Sequence, residues 1–320
     1  VNEEDEVVTS LWARRARWAR AADAGKRRVD RARTAVLYLG GAGAIAAAST
    51  ATVFRTPGLL QLVVTTVGAV CLAVATFLAA QFLTPAEFRR WTRARAVAES
   101  MKEVIYRFRA RALPFSGDAA AARLHKAIAE IEETADDLLP YVTEIDVSHA
   151  SRGTRRSDTA VPPAMNPDDY VRLRVQYQIT HYYERRAREY ADRARRLRMW
   201  TLMLGLAATI VSVVAAVLAG TATNASTPLS PASALTPWVA VLTTLGAAGA
   251  GHLTGRRYEF LVMSYSATAR RLQQLLQEWR AAGSPSDEQH WTTFVDACEK
   301  VIAAENRTWV AKWAENSPDR

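Results

Sequence analysis

The chain has 320 residues, 49% hydrophobic and 23% charged, with 41 Lys and Arg against 32 Asp and Glu and a formal net charge of +9. Its mean hydropathy of −0.09 averages four apolar runs with a very polar remainder, so windowed hydropathy says more than composition. The basic balance suits nucleic acid or an anionic membrane surface, but no zinc-knuckle spacing, RNP pattern or helix-turn-helix signature is present. The membrane is therefore favoured and no nucleic-acid partner is expected.

Glu3–Glu6 is a short acidic start. The first thirty residues are highly charged and lack an apolar core, so no cleavable signal peptide is expected. Residues 7–33 read as one basic helix that also carries Trp12 and Trp18. Such a helix either packs its Trp/Ala side on a neighbour or lies on anionic lipid, and near a membrane it can do both. Residues 34–54 are charge-free between Arg33 and Arg55, and 59–83 form a second apolar span after the Pro57-Gly58 turn. Thr84-Pro85-Ala86-Glu87 has the form of a capping box and starts a helix expected over 85–112, breaking near Pro114. An amphipathic helix is expected over 118–139, with Leu124, Ile128, Ile131, Ala135 and Leu138 on one stripe and Pro140 ending it. Its acidic run, Glu130, Glu132, Glu133, Asp136 and Asp137, reads as a solvated face.

Residues 148–165, rich in Ser, Thr, Arg and Pro, form the linker between a first unit, 1–147, and a second, 166–320. Asn166-Pro167 caps a basic helix over 167–198. From Met199 to Gly255 no Lys, Arg, Asp or Glu occurs. Spans are expected at 199–220 and 236–255, joined by a neutral Ser/Thr/Pro segment, then helices at 256–282 and 287–315. Ser286 to Gln289 reads as a further capping box. On the last helix Phe294, Cys298, Ile302, Trp309 and Trp313 recur at helical spacing. The expected fold is thus an all-α membrane protein with two tandem transmembrane helical hairpins, four spans in all, and long cytoplasmic helices.

Arginines flank both hairpins at their open ends: Arg31 and Arg33, Arg89 and Arg90, Arg196 and Arg198, Arg256 and Arg257. These are the expected lipid-headgroup contacts, and the bias of basic residues places both termini and the linker in the cytoplasm of a multi-pass inner-membrane protein. The halves echo each other: Trp18, Arg31, Arg33 and Gly40 match Tyr183, Arg196, Arg198 and Gly205 at one constant offset. Arg89-Arg90-Trp91 likewise resembles Arg256-Arg257-Tyr258. Both units run in the same direction, which weighs against an inverted-repeat transporter.

Chemistry is thin. The five histidines, His125, His149, His181, His252 and His290, are scattered, and Cys71 and Cys298 sit in different settings. Neither a metal site nor a disulfide framework is implied. No phosphate-binding loop, nucleophile elbow or paired carboxylate appears, so no catalysis and no cofactor are expected. The spans contain no acidic or basic residue, which argues against a pump or voltage sensor. Their polar content supplies the pore-lining candidates: Gln61, Thr65 and Thr76 on the second span, Ser212 on the third, Thr243 and Thr244 on the fourth. As lone polar residues these more often bond to a neighbouring backbone. Close packing is expected at the small residues Gly40, Ala44, Ala247, Gly251 and Gly255. His252, near the inner end of the fourth span, suits a pH-sensitive or simply interfacial position.

The second unit resembles the SLATT family, two-transmembrane effector domains associated with bacterial nucleotide-signalling conflict systems. The residues that carry the resemblance are Tyr170…Arg174 and Gln178…Tyr182-Tyr183…Ala187 before the hairpin, and Tyr258…Tyr265…Ala269 and Phe294…Glu299…Ile302…Glu305-Asn306…Trp309 after it. The first unit is similar to another branch, through Trp91…Arg95, Ala98-Glu99…Lys102 and Leu113-Pro114-Phe115. The resemblance implies an oligomeric envelope pore, with no catalytic residues, that acts on a signal from a separate cytoplasmic sensor or nucleotide. A homo-oligomer of cyclic symmetry is expected, because a chain inserted in one orientation keeps that orientation under a rotation axis. The alternative is a non-conducting, membrane-anchored scaffold that recruits a cytoplasmic partner.

Overall fold

The computed structural model describes residues 3–54, 57–149, 160–220, 231–285 and 287–314, without the side chains of 147–149, 231, 252, 254–256 and 305–314. Ten α-helices occur among these residues: α1 Glu3–Thr52, α2 Leu59–Phe82, α3 Pro85–Arg109, α4 Ala120–Glu133, α5 Leu139–His149, α6 Pro167–Tyr170, α7 Arg185–Gly220, α8 Pro231–Arg256, α9 Tyr258–Ala281 and α10 Glu288–Ala314. A 3-10 turn, Asp136–Leu138, precedes α5, and two π-helical segments, Val171–Gln176 and Gln178–Glu184, join α6 to α7. No strand is present among the described residues. Four helices contain windows long and apolar enough to cross a membrane: α1, α2, the helix ending at Gly220, and α8. The chain is an all-α membrane protein, as its apolar periodicity predicts.

Element bounds depart from expectation where the local chemistry explains it. The basic helix and the first span are one uninterrupted helix, α1, because no Gly-Pro or capping residue separates Arg33 from Thr34. Pro140 does not end a helix: α4 stops at Glu133 and Pro140 lies in the first turn of α5, where a missing N–H costs no intrahelical bond. The last span starts earlier than expected, at Pro231, and carries Pro237 inside it. The Asn166 cap forms as predicted, its side-chain oxygen accepting from the Asp169 N–H at 2.8 Å. The second expected cap involves Ser286, which lies outside the described residues; its neighbour Asp287 accepts from the His290 backbone N–H at 3.1 Å.

The chain divides into two compact units that cut across the sequential halves. The polar unit comprises 1–28, 85–188 and 262–320, and the span unit 29–84 and 189–261. In the polar unit α3 lies at the centre. One part of the core gathers Leu11, Trp18, Met101, Ile105, Leu124 and Ile128 from α1, α3 and α4. The Trp side of the basic helix is therefore consumed by packing, and Arg14 and Arg20 pair with Glu132 and Asp146. Gly25 permits this approach: a Cβ there would fall 2.7 Å from Trp91 Cβ and collide with the Tyr141 hydroxyl oxygen. Helix α10 packs on α3 as well. Trp291 Nε1 donates to the Ala110 carbonyl at 2.7 Å, the Leu113 N–H donates to Thr292 Oγ1 at 3.0 Å, and Arg107 pairs with Asp296 at 2.7 Å. The polar segments of both sequential halves thus share one core.

The span unit is built on small residues. A Cβ on Gly43 would lie 2.6 Å from Leu72 Cγ, and one on Gly68 would lie 2.8 Å from Ala46 Cβ, so α1 and α2 meet at these two glycines. A Cβ on Gly41 would lie 2.9 Å from Leu245 Cδ2 and one on Gly249 2.9 Å from Thr201 Cγ2, which brings α1 to α8 and α8 to α7. Close backbone approach at small residues is what holds helices together where lipid removes the hydrophobic drive.

Candidate pore-lining and lipid-facing sites

The outward faces of the spans are apolar. Leu59, Leu62, Phe77, Leu202, Ile210 and Val217 are all exposed. In water such a surface is far beyond what a soluble monomer presents; in a bilayer it is the required face.

The pore-lining candidates lie on the same outward surface. Thr65, Thr76, Ser212, Thr243 and Thr244 are exposed and Gln61 is half-buried. The structure does not gather them around a cavity of the single chain. The Thr65 hydroxyl donates to the Gln61 carbonyl at 2.8 Å, Thr76 to Leu72 at 3.0 Å and Thr243 to Val239 at 2.8 Å. Each hydroxyl proton is thereby satisfied by its own helix, while the oxygen keeps a lone pair for another donor.

The expected packing residues are placed differently from the glycines that form the contacts. Gly40 and Gly251 meet nothing within 4 Å. Ala44 is half-buried and Ala247 exposed, and the side-chain position of Gly255 lies outside the described residues. Within the chain the tight contacts fall one to three residues away, at Gly41, Gly43 and Gly249, and at Gly68. A small-residue stripe read from spacing alone cannot say which of two adjacent faces meets a helix.

Of the headgroup arginines, Arg31, Arg89, Arg90, Arg196 and Arg198 are exposed and Arg33 is half-buried. Arg90 bonds Glu87 at 2.7 Å and Arg198 pairs with Glu259. Arg257 has a left-handed backbone with φ 49° at the turn into α9. The side chains of Arg256 and His252, like those of Trp309 and Trp313, lie outside the described residues. Of the matched repeat positions, Trp18 and Tyr183 are both buried, Arg31 and Arg196 both exposed and Gly40 and Gly205 both open, whereas Arg33 is half-buried and Arg198 exposed.

The polar unit holds a buried ionic core. Arg174 Nε and Nη2 donate to the two Glu299 oxygens at 2.9 and 2.7 Å, and the Tyr170 hydroxyl donates to Glu299 Oε1 at 2.9 Å. The Arg174 side chain is 2% exposed and Glu299 fully buried. The guanidinium lies 3.9 Å from the centre of the Tyr106 ring, so its face and its edge are both occupied. Burial and the Glu299 carboxylate push the Tyr170 hydroxyl pKa well up, fixing it as a donor. Burial and the Glu299 charge likewise push the Cys298 thiol up, so it is a packed, unreactive thiol. Burial raises Glu99, but Lys102, Arg95, Arg15 and Arg174 outweigh it and hold that carboxyl below its usual range. No cluster of three metal-ligating side chains occurs among the described residues.

Residues 170–309 match the family described as SMODS and SLOG-associating 2TM effector domain 1, and residues 16–122 match a protein family of unknown function, DUF4231. No curated protein and no solved structure matches the chain. The Tyr170–Arg174–Glu299 core and the α7–α8 hairpin fall inside the first of these matches, the α1–α2 hairpin inside the second. Residues 170–309 are thus similar to the SLATT family of two-transmembrane effector domains, and residues 16–122 to a family of unknown function.

Proposed function

We propose that this protein is an oligomeric membrane channel or pore, the effector of a bacterial conflict or signalling system, gated through its polar helical unit. The observation that carries this reading is the placement of the hydroxyl side chains. Thr65, Thr76, Ser212, Thr243 and Thr244 are exposed on the lone chain, where lipid would meet them, whereas around a shared axis they would face water. Gly40 on the first span and Gly251 on the fourth meet nothing within 4 Å and offer backbones for a neighbouring copy to approach. In this reading the chain sits in the inner membrane with both termini and the polar unit in the cytoplasm. Copies surround a rotation axis, anionic headgroups meet the flanking arginines, and a separate sensor protein or nucleotide supplies the trigger. The reading assigns no catalysis. Reconstitution in dye- or ion-loaded liposomes tests it: flux that Thr65→Val and Thr243→Val together diminish is expected, and purified multimers that never conduct would refute it.

A second reading, the non-conducting scaffold, is favoured by the hydroxyl geometry. Thr65, Thr76 and Thr243 each satisfy a carbonyl of their own helix, the usual arrangement for a threonine with no task in a span. Under that reading the same double substitution leaves every measured property unchanged.

A further inference from the structure

Outside the spans, few large apolar side chains are exposed among the described residues, and three of them fall at two places in the polar unit. Leu173 and Tyr177 line a groove of about 530 Å³ between the π-helical segments and α9, whose other wall includes Leu276 and Gln273. Tyr177 stacks on His181 with ring centres 4.8 Å apart, forming a flat shelf at its edge. Leu139, 45% exposed, stands alone at the corner between α4 and α5.

The surroundings of the two places are opposite in charge. Residues 127–149 hold seven acidic residues and no Lys or Arg, in a chain whose net charge is +9. Arg14, Arg93 and Arg20 engage Glu132, Asp137 and Asp146, while Glu133, Asp136 and Glu144 remain on the exposed surface around Leu139. The groove carries Arg172, which pairs with Asp169 at 2.7 Å yet stays 65% exposed, and Arg280 is exposed on the α9 face that bears Gln273 and Leu276. The places also lie on separate flanks. The α4–α5 corner packs on α1 and α3, while α9 packs on the π-helical segment and α10 through Gln273–Glu184 and Trp279–Phe294. Helix α3, on which the corner packs, is joined to α10 by the Arg107–Asp296 pair.

We propose that the groove receives the Leu139 corner of a second copy of this chain. The occupant is argued from complementarity: an apolar knob ringed by carboxylates fits an apolar groove rimmed by arginines. The contact joins two different surfaces, so it propagates head to tail and closes into a ring when rotation permits. It rests on the oligomeric reading above and specifies the interface that would set subunit number.

Full-length protein in lipid, carrying Cys71→Ser and the pair Leu139→Cys and Tyr177→Cys, is treated with a short bis-maleimide. Cys298 is fully buried and stays silent in the folded chain. A ladder of covalent multimers is expected from the double variant and none from either single variant, whereas co-expressed singles give one dimer band. A single variant that links to itself, or a double variant with no ladder, overturns the proposal, as does a lipid or small ligand found seated on Tyr177. Glu133→Lys with Asp136→Lys is expected to weaken assembly about tenfold or more, and Arg172→Glu with Arg280→Glu in the same chain to restore it; unchanged assembly overturns it. Flux is read on the same samples. A ladder without flux keeps the interface and removes the channel; flux without a ladder keeps the channel and removes this interface.

Discussion

The polar unit and the span unit are folded by opposite rules. In the polar unit one buried position is ionic: Arg174 and Glu299 lie in an aromatic core, with hydrogen bonds supplied by each other and by Tyr170. In the span unit the outer surface carries the leucines and valines and the inner contacts fall on glycines. Water decides the difference. The polar unit has apolar area to withdraw from water, and within that core it holds one fully bonded ion pair. The spans have no water to escape, so close backbone packing replaces burial as their cohesion. One substitution should therefore have opposite consequences in the two units.

The largest effect is expected at the ionic core. Glu299→Gln leaves Arg174 buried without its counter-charge and should destabilise the polar unit by about 3–5 kcal/mol, read by urea unfolding in detergent. Arg174→Met combined with Glu299→Leu should cost less than Glu299→Gln alone, because no orphaned charge remains. If the double variant is the worse, the pair is a net stabiliser and the contrast between units narrows.

In the span unit the same charge is harmful when merely exposed. Val67→Asp or Ile210→Asp on the outward face should disfavour insertion by about 2.5–3.5 kcal/mol at mid-span, measured in a microsomal insertion assay. An equally exposed position in the polar unit, such as Thr143, should accept Asp within about 0.5 kcal/mol.

Smaller effects sharpen the glycine contrast. Gly43→Ala places a Cβ 2.6 Å from Leu72 Cγ and should cost about 1–3 kcal/mol of thermal stability. Gly40→Ala, which meets nothing within 4 Å, should be neutral in the isolated chain. A loss at Gly40 confined to the multimer would locate a contact between copies.

The smallest effect is a pH dependence of the polar unit. The His290 side chain and backbone N–H hold the Asp287 carboxyl below its usual range, and Arg93 does the same for Asp137. A carboxyl with a lowered folded pKa contributes stability that is present above its unfolded pKa and lost as pH falls through the folded one. Unfolding midpoints should therefore drop below about pH 4, and Asp287→Asn should flatten that drop.

The spans were legible because their signal is local: charge-free runs bounded by arginines need no tertiary information. The buried polar-unit positions on α4 were legible for a similar reason, since Leu124 and Ile128 repeat at helical spacing and are buried, as are Ala135 and Leu138 just beyond the helix. The ionic core was only half legible. Tyr170 and Arg174 are one turn apart, and Glu299 interrupts the apolar series Phe294, Cys298, Ile302, which signals a buried acid. Its partner lies more than a hundred residues away and cannot be read from spacing. Within the single chain the tight glycine contacts lie one to three residues from Gly40, Ala44, Ala247 and Gly251, because a span with small residues on several faces offers several equivalent stripes. The candidate polar residues were found by composition, but composition cannot show whether a hydroxyl meets lipid, its own backbone or a water-filled axis.

Imaging of the full-length protein in lipid nanodiscs by electron cryo-microscopy tests the central claim most directly. The account predicts a ring of copies with one membrane orientation, Thr65, Thr76 and Thr243 facing a hydrated axis and apolar faces such as Ile210 turned to lipid. A single chain or simple dimer, or a ring whose centre is filled with lipid, would contradict it.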